Sequence, residues 1–385
     1  MTFDAYEIAP NVEKVTDEVL RETGCMSDPS GDAPELLWPA RLIRPAARTV
    51  YLDLNHWIAL AKAATDHRDG AQYRDTLAAC REASQAGVVF PISSVSYIEV
   101  SKIKDPRQRA HLAQVIEELS GFQTILSHPL IVTMELDAAI SDALGVPSPD
   151  EQVLAYLGWG VGYAFGVLTT PTISGPLDDE RTSQAAPRPG GYLHDLMVDS
   201  ERFVLRGPED DEAADMRLGG WDPAAGWKIA CERAEEERAQ VARFEALHST
   251  AHKNWRQGRL RDALTVRELT QSIWDLFGET LSRYGPGVTI EQLLGDRSQA
   301  RRFVRQMPSS EVAIELKTAL HRDASRAADW LPNDVTDIDQ LAMTMPYCDV
   351  VVTEKAAADA LKKAHLDERC ATTLLRSLND LSTFL

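Results

Sequence analysis

The chain is predicted to fold as an α/β domain, a parallel sheet with helices on both faces in three layers, interrupted by a large and mostly helical insertion. Two observations predict the sheet. Short β-branched runs without polar alternation occur in TVYLDLN from Thr49, at 88–92, and at Val350, Val351 and Val352, and such a run reads as a strand covered on both faces. Helical patterns follow these runs, and alternating strands and helices with short connections specify a parallel α/β sheet. A third observation predicts the insertion, because between 147 and 333 the alternation gives way to long helical patterns. The expected divisions are an N-terminal helix and arm at 1–48, a first part of the core at 49–146, the insertion at 147–333 and a second part of the core at 334–385.

In chain order, 11–22 reads as a helix, 27–34 as a Gly/Pro/Asp loop, and LLWPARLIRPAAR, with Trp38, as a strap along the sheet edge. After the first strand, 57–85 carries two helices broken near Asp69-Gly70, with Gly87 as the residue that ends the second. The second strand, 88–92, leads through Ser93-Ser94 into a helix that carries Glu99. An amphipathic helix at 106–119, a strand at 123–126 and a helix at 133–144 complete the first part.

Within the insertion, 153–177 holds no charge, and Gly158, Gly162 and Gly166 recur at four-residue spacing. Its apolar part ends after about 16 residues, short of the roughly 20 that cross a bilayer. Close helix packing, inside the protein or in a homodimer, is therefore expected, and no membrane span. Loops at 174–191 and 209–215 precede helices at 223–247, 266–284, 290–294, 298–306 and 309–329.

Composition bounds the function. With 385 residues and 44% hydrophobic content the chain buries a large core. Lys+Arg 40 against Asp+Glu 59 leaves a net charge of −19, which opposes nucleic-acid binding except through a local basic groove. The five cysteines, Cys25, Cys80, Cys231, Cys348 and Cys370, lie far apart, as suits reduced thiols in the cytoplasm and not a zinc site or disulfide framework. The first residues carry acids and no basic, apolar leader pattern.

Strand-to-helix junctions deliver carboxylates. Asp53 follows the first strand, Glu99 lies one turn inside the helix after the second, and Thr353 and Glu354 end the last apolar run. Ligand sites of open α/β sheets lie at the carboxyl ends of strands. Anions gathered there repel unless a cation sits among them, and the natural occupant is Mg²⁺ or Mn²⁺. Asp349, at the start of its strand, stands about 13 Å from Thr353 at strand rise and so on the opposite edge.

Strand-Asp53-x-Asn55, a helix carrying Glu99, and Asp337 on a helix before a strand ending in Thr353 and Glu354 together resemble the PIN domain, a family of metal-dependent nucleases that mostly cut RNA. The resemblance covers 49–144 and 334–385. It implies that Asp53, Glu99 and Asp337 bind the metal, with Asp339 a rival for the third place, Thr353 the hydroxyl after the last core strand and Glu354 a fourth acid. The family's fourth acid stands two residues after that Thr, where this chain has Lys355. A nucleic-acid substrate, RNA before DNA, also follows from it, as do an inhibitory protein partner, pairing as a homodimer and a toxin or defence setting.

Structural explanations compete for the same residues. Asp53 also suits a helix N-cap, Ser96-x-x-Glu99 is a capping-box pattern, and Thr336 or Asp337 also suits a cap. Asn55 fits a turn residue that orients Asp53. Lys253, Trp255, Arg256, Arg259, Arg301 and Arg302 fit either a phosphate-tracking groove or a solvated face. His248 and His252, four apart with no third ligand, read as solvated histidines. Two other functions remain in view: a PIN-like binding or scaffolding module with a degenerate site, and a phosphohydrolase acting on small nucleotides.

Overall fold

The computed structural model describes residues 36–37, 39–150, 153–168, 192–208, 222, 224–248, 258–322 and 329–385. The helix expected at 11–22, the loops at 27–34, 174–191 and 209–215, and Cys25, Trp38, His252, Lys253, Trp255 and Arg256 lie outside them. Among the described residues the elements run β1 (Leu36–Leu37), β2 (Leu42–Ile43), β3 (Val50–Leu52), α1 (Leu54–Ala64), α2 (Arg74–Gln85), α3 (Ser94–Ser101), α4 (Pro106–Ser120), β4 (Gln123–Ile125) and α5 (His128–Leu144). There follow β5 (Leu154–Ala155), β6 (Leu157–Trp159), α6 (Gly160–Ala164), α7 (Tyr192–Arg206), α8 (Ala225–His248), α9 (Leu260–Arg267), α10 (Trp274–Arg283), α11 (Ile290–Leu294), α12 (Arg297–Arg305) and α13 (Pro308–Arg322). The chain closes with α14 (Pro332–Thr344), β7 (Val350–Val352), α15 (Lys355–Lys363), α16 (Leu366–Cys370) and β8 (Thr373–Leu375).

The fold is mixed α/β, mostly helical, around a small parallel sheet. Strand β7 lies between β3 and β8 and is parallel to both, with Val50 opposite Val350 and Val350 opposite Thr373. The stretch 88–92, expected as a full strand, touches its neighbours only through single bridges, Thr49 to Val89 and Ile92 to Thr124. It still joins the row: Val50 N–H donates to Val89 O at 2.9 Å and Ile125 N–H to Ile92 O at 2.9 Å. From one edge the order is β8, β7, β3, the 88–92 stretch and β4. Chain connections therefore run outward in opposite directions from β3 and β7, and the gap between those strands is the topological switch point where open α/β sheets bind ligands.

The expectation of a packing helix at the start of the insertion is corrected. Residues 154–159 are strands: β5 pairs with β2 and β6 pairs antiparallel with β4. The glycine series therefore makes no packing helix. Gly158 sits in β6, where a Cβ would meet the Tyr163 ring at 2.4 Å, and Gly166 has φ +86°, which ends a helix instead of continuing it. Among the described residues no helix is long and apolar enough to cross a membrane, and Cys80, Cys231, Cys348 and Cys370 are free.

Alternation along the strands builds the two apolar layers. Val50, Leu52, Val350 and Val352 pack with Trp57, Leu60, Leu77, Leu112 and Ile116 of α1, α2 and α4. Tyr51, Val351 and Leu374 face the other way, toward Val312, Leu316, Val335, Ile338 and Leu341 of α13 and α14. Helix α5 is apolar nearly all round, with Ile131 and Met134 in the second layer and Val132, Leu136 and Ile140 in a third cluster with α9, α10, α12 and α13. A helix buried on opposite faces carries little amphipathic pattern, which explains why its first turn, from His128 to Val132, escaped the sequence.

A buried ionic network fastens the helical part together. Glu237 of α8 accepts from Arg267 Nη1 at 2.6 Å, and Lys317 of α13 donates to Glu268 at 2.8 Å and lies 3.8 Å from Glu237. Burial alone would raise the Glu237 carboxyl, yet His321, Lys317 and Arg267 around it bring it down to about 2. Lys317→Met leaves Glu268 and Glu237 short of a buried cation, and the expected cost is about 3 kcal/mol in urea unfolding; a cost below about 1 kcal/mol would contradict the network.

Glu135 is buried in α5 and accepts from Ser309 N–H, Ser309 Oγ and Tyr347 Oη. Burial outweighs these donors and pushes its carboxyl up to about 7. The folded protein thus holds a proton that the unfolded chain has released, so this stabilisation is complete below the unfolded pKa, near 4.5, and is lost as pH rises toward 7. Urea titrations of the wild type against Glu135→Gln should show the wild type's relative stability falling across that window; a flat or rising difference would contradict the assignment.

Candidate functional site

Asp53 leaves the carboxyl end of β3 and caps α1, its Oδ1 accepting from His56 N–H at 3.2 Å. The same oxygen lies 2.6 Å from His56 Nδ1. A carboxylate only accepts, so Nδ1 carries the proton and the imidazole fixes the carboxylate's orientation. Asp53 thus caps α1 while standing at the carboxyl end of β3. Sequence reasoning assigned His56 no part in the site, and its place three residues after the acid was the available clue.

Glu99 is freed from capping. Ser93 caps α3, with Ser96 completing the reciprocal box, which leaves Glu99 half-buried in the second turn. Burial pushes its carboxyl up to about 7, with Lys102 opposing and Asp53 adding to the rise.

Asp337 is not a cap either, because α14 begins at Pro332 and Asp334 accepts from the Leu331 N–H at 2.8 Å. The protein around it, ahead of the like charges of Glu99, Glu354 and Asp53, pushes the Asp337 carboxyl up to about 7. The residue itself is exposed, so water screens part of that rise. Asp339 does not join the group. Two residues on, it points about 200° round the helix and forms a forked pair with Arg233 of α8, at 2.9 Å from Nη2 to Oδ1.

At the switch point, Asp53, Asp337, Thr353 and Glu354 line a small cleft of about 30 Å³ floored by Tyr51 and Gln340. Thr353 is buried and its N–H donates to Leu375 O at 3.1 Å. Glu354 is exposed and accepts from Asn55 Nδ2 at 3.4 Å, so Asn55 reaches the fourth acid across the cleft. Lys355 begins α15 and is exposed. Asp349 stays at the other edge of the sheet, where it accepts from Thr49 N–H at 2.7 Å and Thr49 Oγ1 at 3.0 Å.

The cleft floor is a polar knot. Gln340 Nε2 donates to Tyr51 Oη at 2.5 Å, and that oxygen lies 3.1 Å from Ser93 Oγ and 3.3 Å from Ser96 Oγ. One buried phenol therefore joins β3, α3 and α14, the elements that present Asp53, Glu99 and Asp337.

Sequence reasoning missed Lys102, the residue that closes α3. Its ammonium stands 4.7 Å from the centre of the Trp227 ring of α8. Burial lowers its pKa while Glu99 and Asp337 raise it. Arg301 and Arg302 belong to the helical part instead, bound to Asp262 at 2.7 Å and Ser298 at 2.9 Å, and Arg259 is exposed beside α9. A larger cleft, about 670 Å³, lies elsewhere, between Pro39, Arg41, Asp137, Ser141 and Gln306; Arg41 donates to Asp150 O there and lies 4.0 Å from Asp137.

The donor set suits a hard divalent cation, since all its members are oxygen ligands and four of them are carboxylates. Spacing is the departure: among the described residues no three acids, histidines or cysteines stand together closely enough to hold one ion. Comparison of the chain with protein-family models, with curated proteins and with solved structures gives no match.

Tyr51→Phe removes the phenol and strands the Gln340 amide and the two serines. The expected cost is about 1–3 kcal/mol of unfolding free energy, measured in denaturant; a change within a few tenths would show that the knot does not hold the cleft.

Proposed function

We propose that the chain is a divalent-metal-dependent nuclease of PIN-like type that hydrolyses phosphodiester bonds, in RNA before DNA. The observation that carries this is the convergence of Asp53, Asp337 and Glu354, from separate segments, on one cleft at the switch point of a parallel sheet, with Glu99 near enough for its charge to raise the Asp337 carboxyl. Asp53, Glu99 and Asp337 would hold Mg²⁺ or Mn²⁺, with Glu354 as the fourth acid in place of the residue at Lys355. When bound, such an ion polarises the phosphate and lowers the pKa of a water.

The chain's own residues set up that chemistry. His56 orients Asp53, Asn55 orients Glu354, and the Thr353 hydroxyl stands where it supports a carboxylate or a water. The Tyr51 knot keeps the three core acids in register. None of these roles needs a nucleophilic side chain.

One observation favours a second reading, a PIN-like binding module with a degenerate site: no three ligating groups stand together as the side chains are placed. Cleavage of end-labelled single-stranded RNA and DNA with Mn²⁺, Mg²⁺ or EDTA separates the two. The nuclease cuts only with metal, and Asp53→Asn lowers the rate at least about 100-fold, beyond what loss of an outer-shell partner costs. Absence of cutting by either protein would overturn the catalytic reading in favour of the module.

A further inference from the structure

A cluster of acids has no affinity for phosphate, and at a net charge of −19 the chain needs a local cation to seat a nucleic acid there. Lys102 is placed for it. The ammonium lies in the field of both Glu99 and Asp337, yet among the described residues it forms no ion pair or hydrogen bond, and its recorded contact is the face of Trp227. Lysine and indole arrive from opposite parts of the chain, Lys102 from the end of α3 and Trp227 from the first turn of α8. Gly226 permits the approach, since a Cβ there would meet Ile98 Cγ2 of α3 at 2.6 Å. Both Lys102 and Trp227 are half-buried, and α3, which Lys102 closes, packs against α14, which carries Asp337.

We propose that Trp227 and Lys102 form a nucleotide-gripping subsite at the mouth of the acid cleft, with a base stacked on the indole and the neighbouring phosphate on the ammonium. This deepens the nuclease reading, on which it rests, by naming the substrate class: single-stranded nucleic acid. A base reaches an indole face only when it has left its partner strand, and stacking on an aromatic side chain is tolerant of sequence. Lys102 supplies the positive charge that the acids lack. The helix carrying Trp227 thus completes the site with a surface the α/β core does not possess.

The test is binding of a fluorescein-labelled single-stranded RNA, and of the DNA of the same sequence, to the full chain in EDTA, followed by polarisation. Wild type, Trp227→Ala, Trp227→Phe and Lys102→Ala are compared, each checked for an unchanged thermal melt. The expected result is a loss of about tenfold or more for Trp227→Ala, most of the affinity kept by Trp227→Phe, and a salt slope smaller by about one for Lys102→Ala. An unlabelled duplex should compete poorly. Affinity unchanged in Trp227→Ala and Lys102→Ala, equal affinity for duplex, or no binding by wild type overturns the subsite. Trp227-dependent binding without metal-dependent cutting upholds the subsite and removes the nuclease. Metal-dependent cutting with an unchanged KM in Trp227→Ala removes the subsite and leaves the nuclease standing.

Discussion

Mutual repulsion among carboxylates at one edge of a small sheet is the constraint around which the molecule is arranged. Asp53 and Glu354 leave adjacent parallel strands at their carboxyl ends, and Glu99 and Asp337 come in from helices on the face where Tyr51 points. Holding such charges together lowers stability unless a proton or a cation compensates, so the surroundings have to be rigid. The rigidity comes from strands of three residues buried on both faces and from the Tyr51 phenol, which ties three acid-bearing elements to one atom.

The helical insertion extends this frame beyond covering it. Helix α8 is pinned to α14 by Arg233 and Asp339 and to α9 and α13 by the buried network around Glu237. Those anchors fix the helix whose first turn sets Trp227 against Lys102. Asp339, which the sequence offered as a metal ligand, serves the site by holding α8 in place.

What was legible in the sequence follows from how local its cause is. The buried run Val350, Val351, Val352 announced its strand with the right bounds, and Asp53 announced itself by ending another. Strand β8 was not foreseen, because three residues after Thr372 acquire strand character only by pairing with β7. The segment at 88–92 had the composition of a strand but makes single bridges. Strands β5 and β6 were hidden by glycines whose spacing mimics a packing helix. At α14 the sequence held a usable cue, Pro332 at the first turn; with the start at Pro332, helix phase separates Asp337 from Asp339. The Lys102–Trp227 contact joins residues from distant parts of the chain, and no local pattern announces it.

The central claim is that these acids form one cation site, and Mn²⁺ binding followed by electron paramagnetic resonance tests it without any substrate. The wild type should take up Mn²⁺, Asp337→Asn should weaken that uptake at least about tenfold, as loss of support around a metal does, and Asp339→Asn, which breaks the Arg233 pair instead, should retain it. No uptake by the folded wild type, or uptake indifferent to Asp337, would contradict the claim.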